Sequence, residues 1–556
     1  MASRKVITVW RGKANLYPAI STYTTRLDLT GSWRYMKPSY RNLTAPCDHG
    51  CPAGNDVRGY IEYALKEKYD EAFKLILETS PFPSVCGRVC YHPCETECNR
   101  GSFDEPIAIH SLERFIGDRA KNYELPKPEV KVDKKVAVIG SGPAGLSCAY
   151  HLARKGYAVT VYESKAHPGG MLYYGIPAYR LPKDVLAWEI ARIEQMGVKL
   201  ILNTNVDNEA FREIKKYFDA VFIGLGAWGE QKMSVEGEDL AGVTAGLQLL
   251  NNINAGEQVR VFPKIMVVGG GNTAIDVARS VKRMGSHPLI LYRRTEKEMP
   301  AHPDEIAEAR HEGIDIHFLA APKRIIGEAG NVVAVECQQM KLGPPDSSGR
   351  RRPVPIEGDT FTLEMDQVIT AIGERPVLDS IGDMVKLKWN RIDRDKDGQT
   401  SLKGIYCGGD VAVNTAGTVT NAIGEGRRAA FAIEAYLFDQ PSSFPANHPP
   451  VVNYDMLNVD YFSPAPRVMP PHLALSDRSD YREVVHALDQ DAVVKEAERC
   501  FSCGVCNYCL NCITYCPDSS ISMINECLEI DYKYCKGCGI CVTECPRNAM
   551  CLEEER

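Results

Sequence analysis

Residues 134–163, KKVAVIGSGPAGLSCAYHLARKGYAVTVYE, leave a chain few ways to fold. An apolar run ends in Gly140-x-Gly142-x-x-Gly145. A helix-forming stretch follows, stops at Gly156, and leads into a second apolar run closed by Glu163. The glycines permit a tight turn and let a pyrophosphate approach the first helical turn, and the acid accepts from a ribose hydroxyl. The complete strand-turn-helix-strand-acid unit specifies a dinucleotide-binding βαβ fold far better than the glycines alone.

A second unit, KIMVVGGGNTAIDVARSVKRMGSHPLILYRR, occupies 264–294. Gly269, Gly271 and Ala274 take the glycine positions, with Asn272 and Thr273 between them, and the second strand ends in Arg293 and Arg294 instead of an acid. A carboxylate there would bond the 2'-hydroxyl of NAD(H), whereas two guanidiniums favour a 2'-phosphate. NADP(H) is therefore expected over NAD(H), unless the arginines are only a solvated strand end. Apolar strands running into glycine turns at 219–228 and 366–376 place the chain's crossings between two nucleotide domains.

Twenty-one cysteines in 556 residues, grouped at C-x2-C spacings, read as metal or Fe-S ligation and not as a disulfide framework. Cys506, Cys509, Cys512 and Cys516-Pro, then Cys535, Cys538, Cys541 and Cys545-Pro, repeat the bacterial ferredoxin run, whose fourth cysteine serves the other cluster. Cys545 thus pairs with the first trio and Cys516 with the second. Near the N-terminus, CDHGCPAGND (47–56) and CGRVCYHPCETEC (86–98) put six thiols into 52 residues, a density suited to Fe-S clusters or to a structural zinc, which also takes four thiolates. Cys148, Cys337 and Cys407 read as small core or strand residues.

After the second nucleotide unit comes GIYCGGDVAVNTAGTVTNAIGEGRRAA (404–430), a strand, a Gly408-Gly409-Asp410 turn and a helix beginning near Thr420. Over about 130–440 the chain resembles the flavoproteins with two dinucleotide-binding domains. That resemblance implies FAD held by Gly140, Gly142, Ala144, Gly145, Glu163, Gly170, Leu172, Gly409 and Asp410, the last on the ribityl chain. It implies NAD(P)H held by Gly269, Gly271, Asn272, Thr273, Ala274, Arg293 and Arg294. Arg180 of the GIPAYRLP loop, Gly373 and Thr420 would hold nicotinamide against flavin, with no general acid or base required. Many such flavoproteins use a redox dithiol, but no cysteine lies between Cys148 and Cys337 to supply one.

The N-terminal segment resembles the cluster domain of the glutamate synthase small subunit and of dihydropyrimidine dehydrogenase. The shared features are C-P-x-G, G-R-V-C-x3-C-E-x2-C, and an acid about fifteen residues on, Glu113 in HSLERF. The resemblance implies one [4Fe-4S] cluster on Cys51, Cys90, Cys94 and Glu113, and half of a second on Cys47 and Cys98; Cys86 matches a non-ligand position. The family completes the second from an R-C-x-x-C-G pair just before Cys47, but residues 1–46 contain no cysteine. Arg499-Cys500-Phe-Ser-Cys503-Gly504 has the missing form, so the chain end is expected to fold back and complete a set of four clusters. The alternative leaves Cys500 and Cys503 as spare thiols and the N-terminal domain with a single cluster.

The expected fold is α/β multidomain: a basic N-terminal arm (1–45), a helical Fe-S domain (46–125), an FAD domain in two parts (126–245 and 366–440) around an NAD(P)H domain (246–365), a Pro-rich surface linker (441–495) and a two-cluster ferredoxin-like domain (496–556). Residues 1–46 carry eight Lys or Arg against one Asp, either a solvated tail or a dock for an acidic subunit. No aromatic-interleaved basic motif points to nucleic acid. No apolar run reaches the roughly 18 residues of a membrane span, and MASRKVITVW has no apolar signal core. A cytoplasmic protein is expected.

Together these parts form a wire from NAD(P)(H) through FAD and clusters to a partner. With a Met-Ala start no glutaminase is expected, and with this length no pyrimidine-reducing barrel is expected, so the substrate site is expected on another polypeptide. Similar fusions serve as NAD(P)-reactive subunits of hetero-oligomeric oxidoreductases, including those acting on 2-oxoacids. The alternatives are a free-standing ferredoxin:NADP oxidoreductase, a glutamate synthase small subunit, and a non-catalytic wiring module.

Overall fold

Two parallel five-stranded sheets carry the nucleotide units. In a computed structural model describing residues 29–555 apart from 127, 129–131, 347–348, 382 and 446–448, the first sheet runs Ile405–Cys407, Ala220–Ile223, Lys135–Ile139, Ala158–Tyr162, Lys199–Ile201. These strands are almost continuously apolar because both faces are covered, as parallel sheets require. The helices Pro143–Arg154 and Val419–Leu437 pack on each other and on this sheet.

The second sheet runs Asp315–Phe318, His287–Tyr292, Lys264–Val268, Gln367–Thr370, Val243–Ala245. This differs from the expected crossings at 245/246 and 365/366: both Val243–Ala245 and Gln367–Thr370 belong to the second sheet. The crossing segments instead pair with each other, Glu374 opposite Glu230 and Arg375 opposite Gly229. Short apolar strands look alike in sequence whichever sheet they join. An antiparallel three-stranded sheet, Ala320–Glu328, Asn331–Pro345 and Arg351–Glu364, extends the second domain.

The N-terminal domain is helical: Val57–Leu65, Tyr69–Leu77, Pro83–Val89 and Ile109–Arg119. A Cβ on Gly87 would lie 2.5 Å from Arg114 Cα, and one on Gly117 would lie 2.6 Å from Ser84 N. The two glycines therefore let Pro83–Val89 and Ile109–Arg119 cross almost in backbone contact, which sets Glu113 beside Cys90. Val493 and Phe501 from the far end of the chain are buried in the same core as Tyr60, Phe73 and Leu112. Helix Gln490–Glu498, capped by Asp489 accepting from Ala492 N at 2.8 Å, delivers them.

The Pro-rich stretch is a strap with buried anchors. Arg478 pairs with Glu308 at 2.5 Å, Glu483 with Arg88 at 2.7 Å and Arg114 at 2.9 Å, and Val484 N donates to Tyr179 O at 3.0 Å. It fastens the helical domain to the second nucleotide domain. Much of the expected arm, residues 1–28, lies outside the described residues. Met36–Tyr40 is not a solvated tail: it pairs antiparallel with Met550–Glu554 at the chain's other end.

Among the described residues no helix is long and apolar enough to cross a membrane.

Candidate functional site

A cavity of about 1200 Å³ opens between the two nucleotide domains. Gly140, Gly142, Ala144, Glu163, Gly170, Arg180, Asn272, Thr273, Gly409 and Asp410 line it. Gly142 faces open space, with nothing within 4 Å of where a Cβ would stand, at the N-terminus of Pro143–Arg154. Glu163 is fixed by Ser141, which donates from N at 3.0 Å and Oγ at 2.6 Å, and by Lys165 N at 2.9 Å. Burial raises the Asp410 carboxyl above its usual range. A glycine cradle at a helix N-terminus, a fixed acid and a second acid across the cavity fit the diphosphate, ribose and ribityl parts of FAD.

Other expected residues stand behind the wall. Leu172, Ala274 and Thr420 are buried; Gly269 and Gly373 take positive-φ turn positions, Gly271 caps its helix, and Gly145 lies within the helix Pro143–Arg154, packed on the Gly140 turn, all without lining the cavity. Arg180 does reach the wall, yet its guanidinium is held by Asp276 and Glu305, each at 2.7 Å. Burial, offset in part by Arg180, pushes the Asp276 carboxyl up to about 6. Neither acid was anticipated; they come from a domain about a hundred residues downstream. Arg293 is exposed at the end of its strand, whereas Arg294 is buried and donates to Asp346 and to the Arg351 carbonyl, each at 2.7 Å.

The side chains expected to ligate clusters converge in four groups. Cys51, Cys90, Cys94 and Glu113 face one another; burial and then the neighbouring thiols raise Cys94, and burial followed by Glu189 pushes Glu113 up to about 8. Asn55 Nδ2 donates to Glu113 at 3.3 Å. Cys47, Cys98, Cys500 and Cys503 surround a second small cavity, and burial pushes Cys500 up to about 11 and Cys503 up to about 12. Cys506, Cys509, Cys512 and Cys545 form the third group, and Cys516, Cys535, Cys538 and Cys541 the fourth. Cys86 is buried beside Cys90 and Glu113. Four thiols whose negative forms penalise one another in a buried pocket are a donor set that suits a polynuclear cationic centre.

Adjacent groups share backbone. Cys47 and Cys51 are four residues apart on one turn, Cys94 and Cys98 on another, and Cys503 precedes Cys506 by three. At the flavin end, Val89 and Tyr91 reach the large cavity on either side of Cys90. Cys90 Sγ is also 3.6 Å from Thr420 Oγ1. A Cβ on Gly424 of that helix would lie 2.1 Å from Pro52 O, next to Cys51, so glycine alone permits the approach.

His92, Glu95 and His110 also come within 4.8 Å of one another. The two rings are face-stacked, centroids 3.9 Å apart, so their in-plane lone pairs run side by side. Glu95 is taken by His110 at 2.8 Å and Arg467 at 2.5 Å. This is a structural ion-pair cluster that pins the strap beside Cys94.

The description "pyridine nucleotide-disulphide oxidoreductase" matches residues 134–426. The chain belongs to that family. Within it, the chain adds a segment matching "dihydropyrimidine dehydrogenase domain II, 4Fe-4S cluster" at 39–125 and one matching "4Fe-4S binding domain" at 528–551. It is 39% identical over 500 residues to the NADP(+)-dependent formate dehydrogenase subunit beta of Moorella thermoacetica, covering 83% of this chain and 71% of that one. It is 38% identical over 511 residues to the NADPH-Fe(3+) oxidoreductase subunit beta of Geobacter sulfurreducens, covering 83% and 75%. The glutamate synthase [NADPH] small chain of Escherichia coli is 34% identical over 423 residues, covering 70% and 88%. This pyridine nucleotide-disulphide oxidoreductase is thus an NAD(P)H-dependent electron-transfer protein with an FAD-type fold and Fe-S domains at both ends. Unlike the family's name, its cavity contains no cysteine among the residues that line it.

Proposed function

We propose that this chain is the NADP(H)-reactive subunit of a multi-subunit oxidoreductase, moving electrons between the nucleotide cavity and a partner polypeptide that holds the substrate site. Bound FAD would supply exchange between a hydride and single electrons, and [4Fe-4S] clusters would supply one-electron relay. The chain's own part is positional. Gly142 and the helix behind it receive a diphosphate, Glu163 and Asp410 orient the flavin nucleotide, and Asn272 and Thr273 receive the second nucleotide. The buried Arg180–Asp276–Glu305 group keeps the two nucleotide domains in register. The four ligand sets would hold four clusters.

The Cys90–Thr420 contact carries the reading, because it puts a ligand of the first set against the flavin-side helix. Exposed Cys538 and Ile540 give the fourth set an open face for a partner. The names of the relatives make a formate-oxidising or iron-reducing partner as compatible with that face as the 2-oxoacid-oxidising partner implied by the sequence resemblance. Anaerobic titration of the iron-replete chain with NADPH and separately NADH tests the reading. NADPH is expected to bleach flavin and cluster absorbance together; bleaching of neither by either nucleotide would leave only a wiring module. Affinity capture of the tagged chain from its native host identifies the partner.

A further inference from the structure

The strand Met36–Tyr40 lies more than ninety residues before the first nucleotide unit and far from the ferredoxin runs in sequence, yet it is built into the ferredoxin-like domain. Its ladder to Met550–Glu554 sets Tyr40 opposite Met550. Arg41 continues it, donating from N to Ala549 O at 3.0 Å and from Nη2 to Asn548 Oδ1 at 2.6 Å. Tyr532 OH donates to Pro38 O at 2.8 Å. Alternate residues of a strand share a face, and here the shared face covers both ferredoxin ligand sets. Pro38 lines the cavity of Cys516, Cys535, Cys538 and Cys541. Tyr40 packs against the buried cluster that contains Cys512 and Cys541, and its hydroxyl lies 3.3 Å from Cys512 Sγ. That sulfur is the partner the structure gives the Tyr40 hydroxyl. A ligating cysteine is a thiolate and has no proton to give, so the phenol is the donor.

We infer that Tyr40 is a positioning residue that sets the reduction potential of the centre held by Cys506, Cys509, Cys512 and Cys545, through an O–H···S hydrogen bond to Cys512. Hydrogen bonds to cluster sulfurs help to fix reduction potential. In a cluster held there, an added electron would make the sulfurs more negative and strengthen the bond from Tyr40, so the phenol would favour the reduced state. The proton stays on the Tyr40 oxygen throughout. The inference rests on the reading that these four thiols hold a [4Fe-4S] cluster, and it gives the N-terminal strand a redox role beyond closing a sheet edge.

Tyr40→Phe keeps the ring and removes only the donor. Tyr532→Phe is the companion variant: it weakens the strand's seat at Pro38 without touching Cys512. Both are compared with the parent in the full-length, iron-replete chain by anaerobic potentiometry followed by electron paramagnetic resonance. In Tyr40→Phe one cluster signal should become harder to reduce, its reduced-to-oxidised ratio at fixed potential falling about tenfold, equivalent to roughly 59 mV for one electron. The remaining signals, and all signals in Tyr532→Phe, should stay in place. Unchanged potentials in Tyr40→Phe with full iron would overturn the inference, as would the same shift in Tyr532→Phe, which would assign it to strand seating. A parent chain lacking the iron of the ferredoxin sets would instead contradict the functional reading on which the inference stands.

Discussion

Thr420 Oγ1 and Cys90 Sγ lie 3.6 Å apart across the seam between the flavin-side helix and the helical domain. In an assembled centre the hydroxyl donates to the thiolate and so favours the reduced cluster next to the flavin. Thr420→Val keeps the shape and removes the donor. With NADPH under anaerobic conditions, flavin bleaching should be unchanged while the equilibrium ratio of reduced to oxidised cluster falls on the order of threefold to tenfold, as expected for the loss of one hydrogen bond of typical net strength.

The same seam predicts a steric effect. Because a Cβ at Gly424 would lie 2.1 Å from the Pro52 carbonyl oxygen, Gly424→Ala must push the helix away from the loop holding Cys51. A cost of about 1–3 kcal/mol is expected from overpacking, read as a lower thermal midpoint together with loss of iron. An unchanged midpoint would mean that the seam is looser than described.

Arg293 and Arg294 should separate in their effects. Arg293 is exposed where a 2'-phosphate would arrive, while Arg294 is tied to Asp346 and the Arg351 carbonyl. Arg293→Ala should raise KM for NADPH about tenfold, the order expected for a charge-assisted contact, and leave NADH turnover unchanged. Arg294→Ala should chiefly lower stability.

Acid should weaken the fold through His151. Burial first, then Arg427 with Arg154 and Lys155, depresses this imidazole to about 3, and its Nε2 donates to Thr79 O at 3.1 Å. The unfolded chain takes up a proton near pH 6.5 that the folded chain refuses, so stability is lost as pH falls from 6.5 toward 3. Between about pH 6.5 and 5.5 the parent should lose about 1 kcal/mol more unfolding free energy than His151→Gln. Anaerobic urea unfolding at the two pH values measures it; equal losses would remove His151 from the account.

The fold class was legible wherever the determining contacts were short in sequence: Gly140 to Gly145, Gly269 to Ala274, and the repeated cysteine spacings. Motif form also pointed to the return of Cys500 and Cys503 to the N-terminal domain, where the structure brings them beside Cys47 and Cys98. Contacts between distant segments left no such trace. Nothing around Arg180 announces Asp276 and Glu305, nothing in a Pro-rich stretch announces the ion pairs of Arg478 and Glu483, and MKPSY has no feature that names Met550–Glu554 as its partner. The crossings near 245 and 366 were misplaced because strand composition does not distinguish one parallel sheet from another.

The central claim is a continuous path from the nucleotide cavity through a centre shared by the two ends of the chain. Its most direct test is anaerobic NADPH reduction of the Cys500→Ser, Cys503→Ser double variant, with iron counted per chain. The account predicts loss of about four irons out of about sixteen, normal flavin bleaching, and ferredoxin-like clusters that stay oxidised on the timescale at which the parent reduces them. Full iron content with parent-like cluster reduction would show that the path does not run through Cys500 and Cys503.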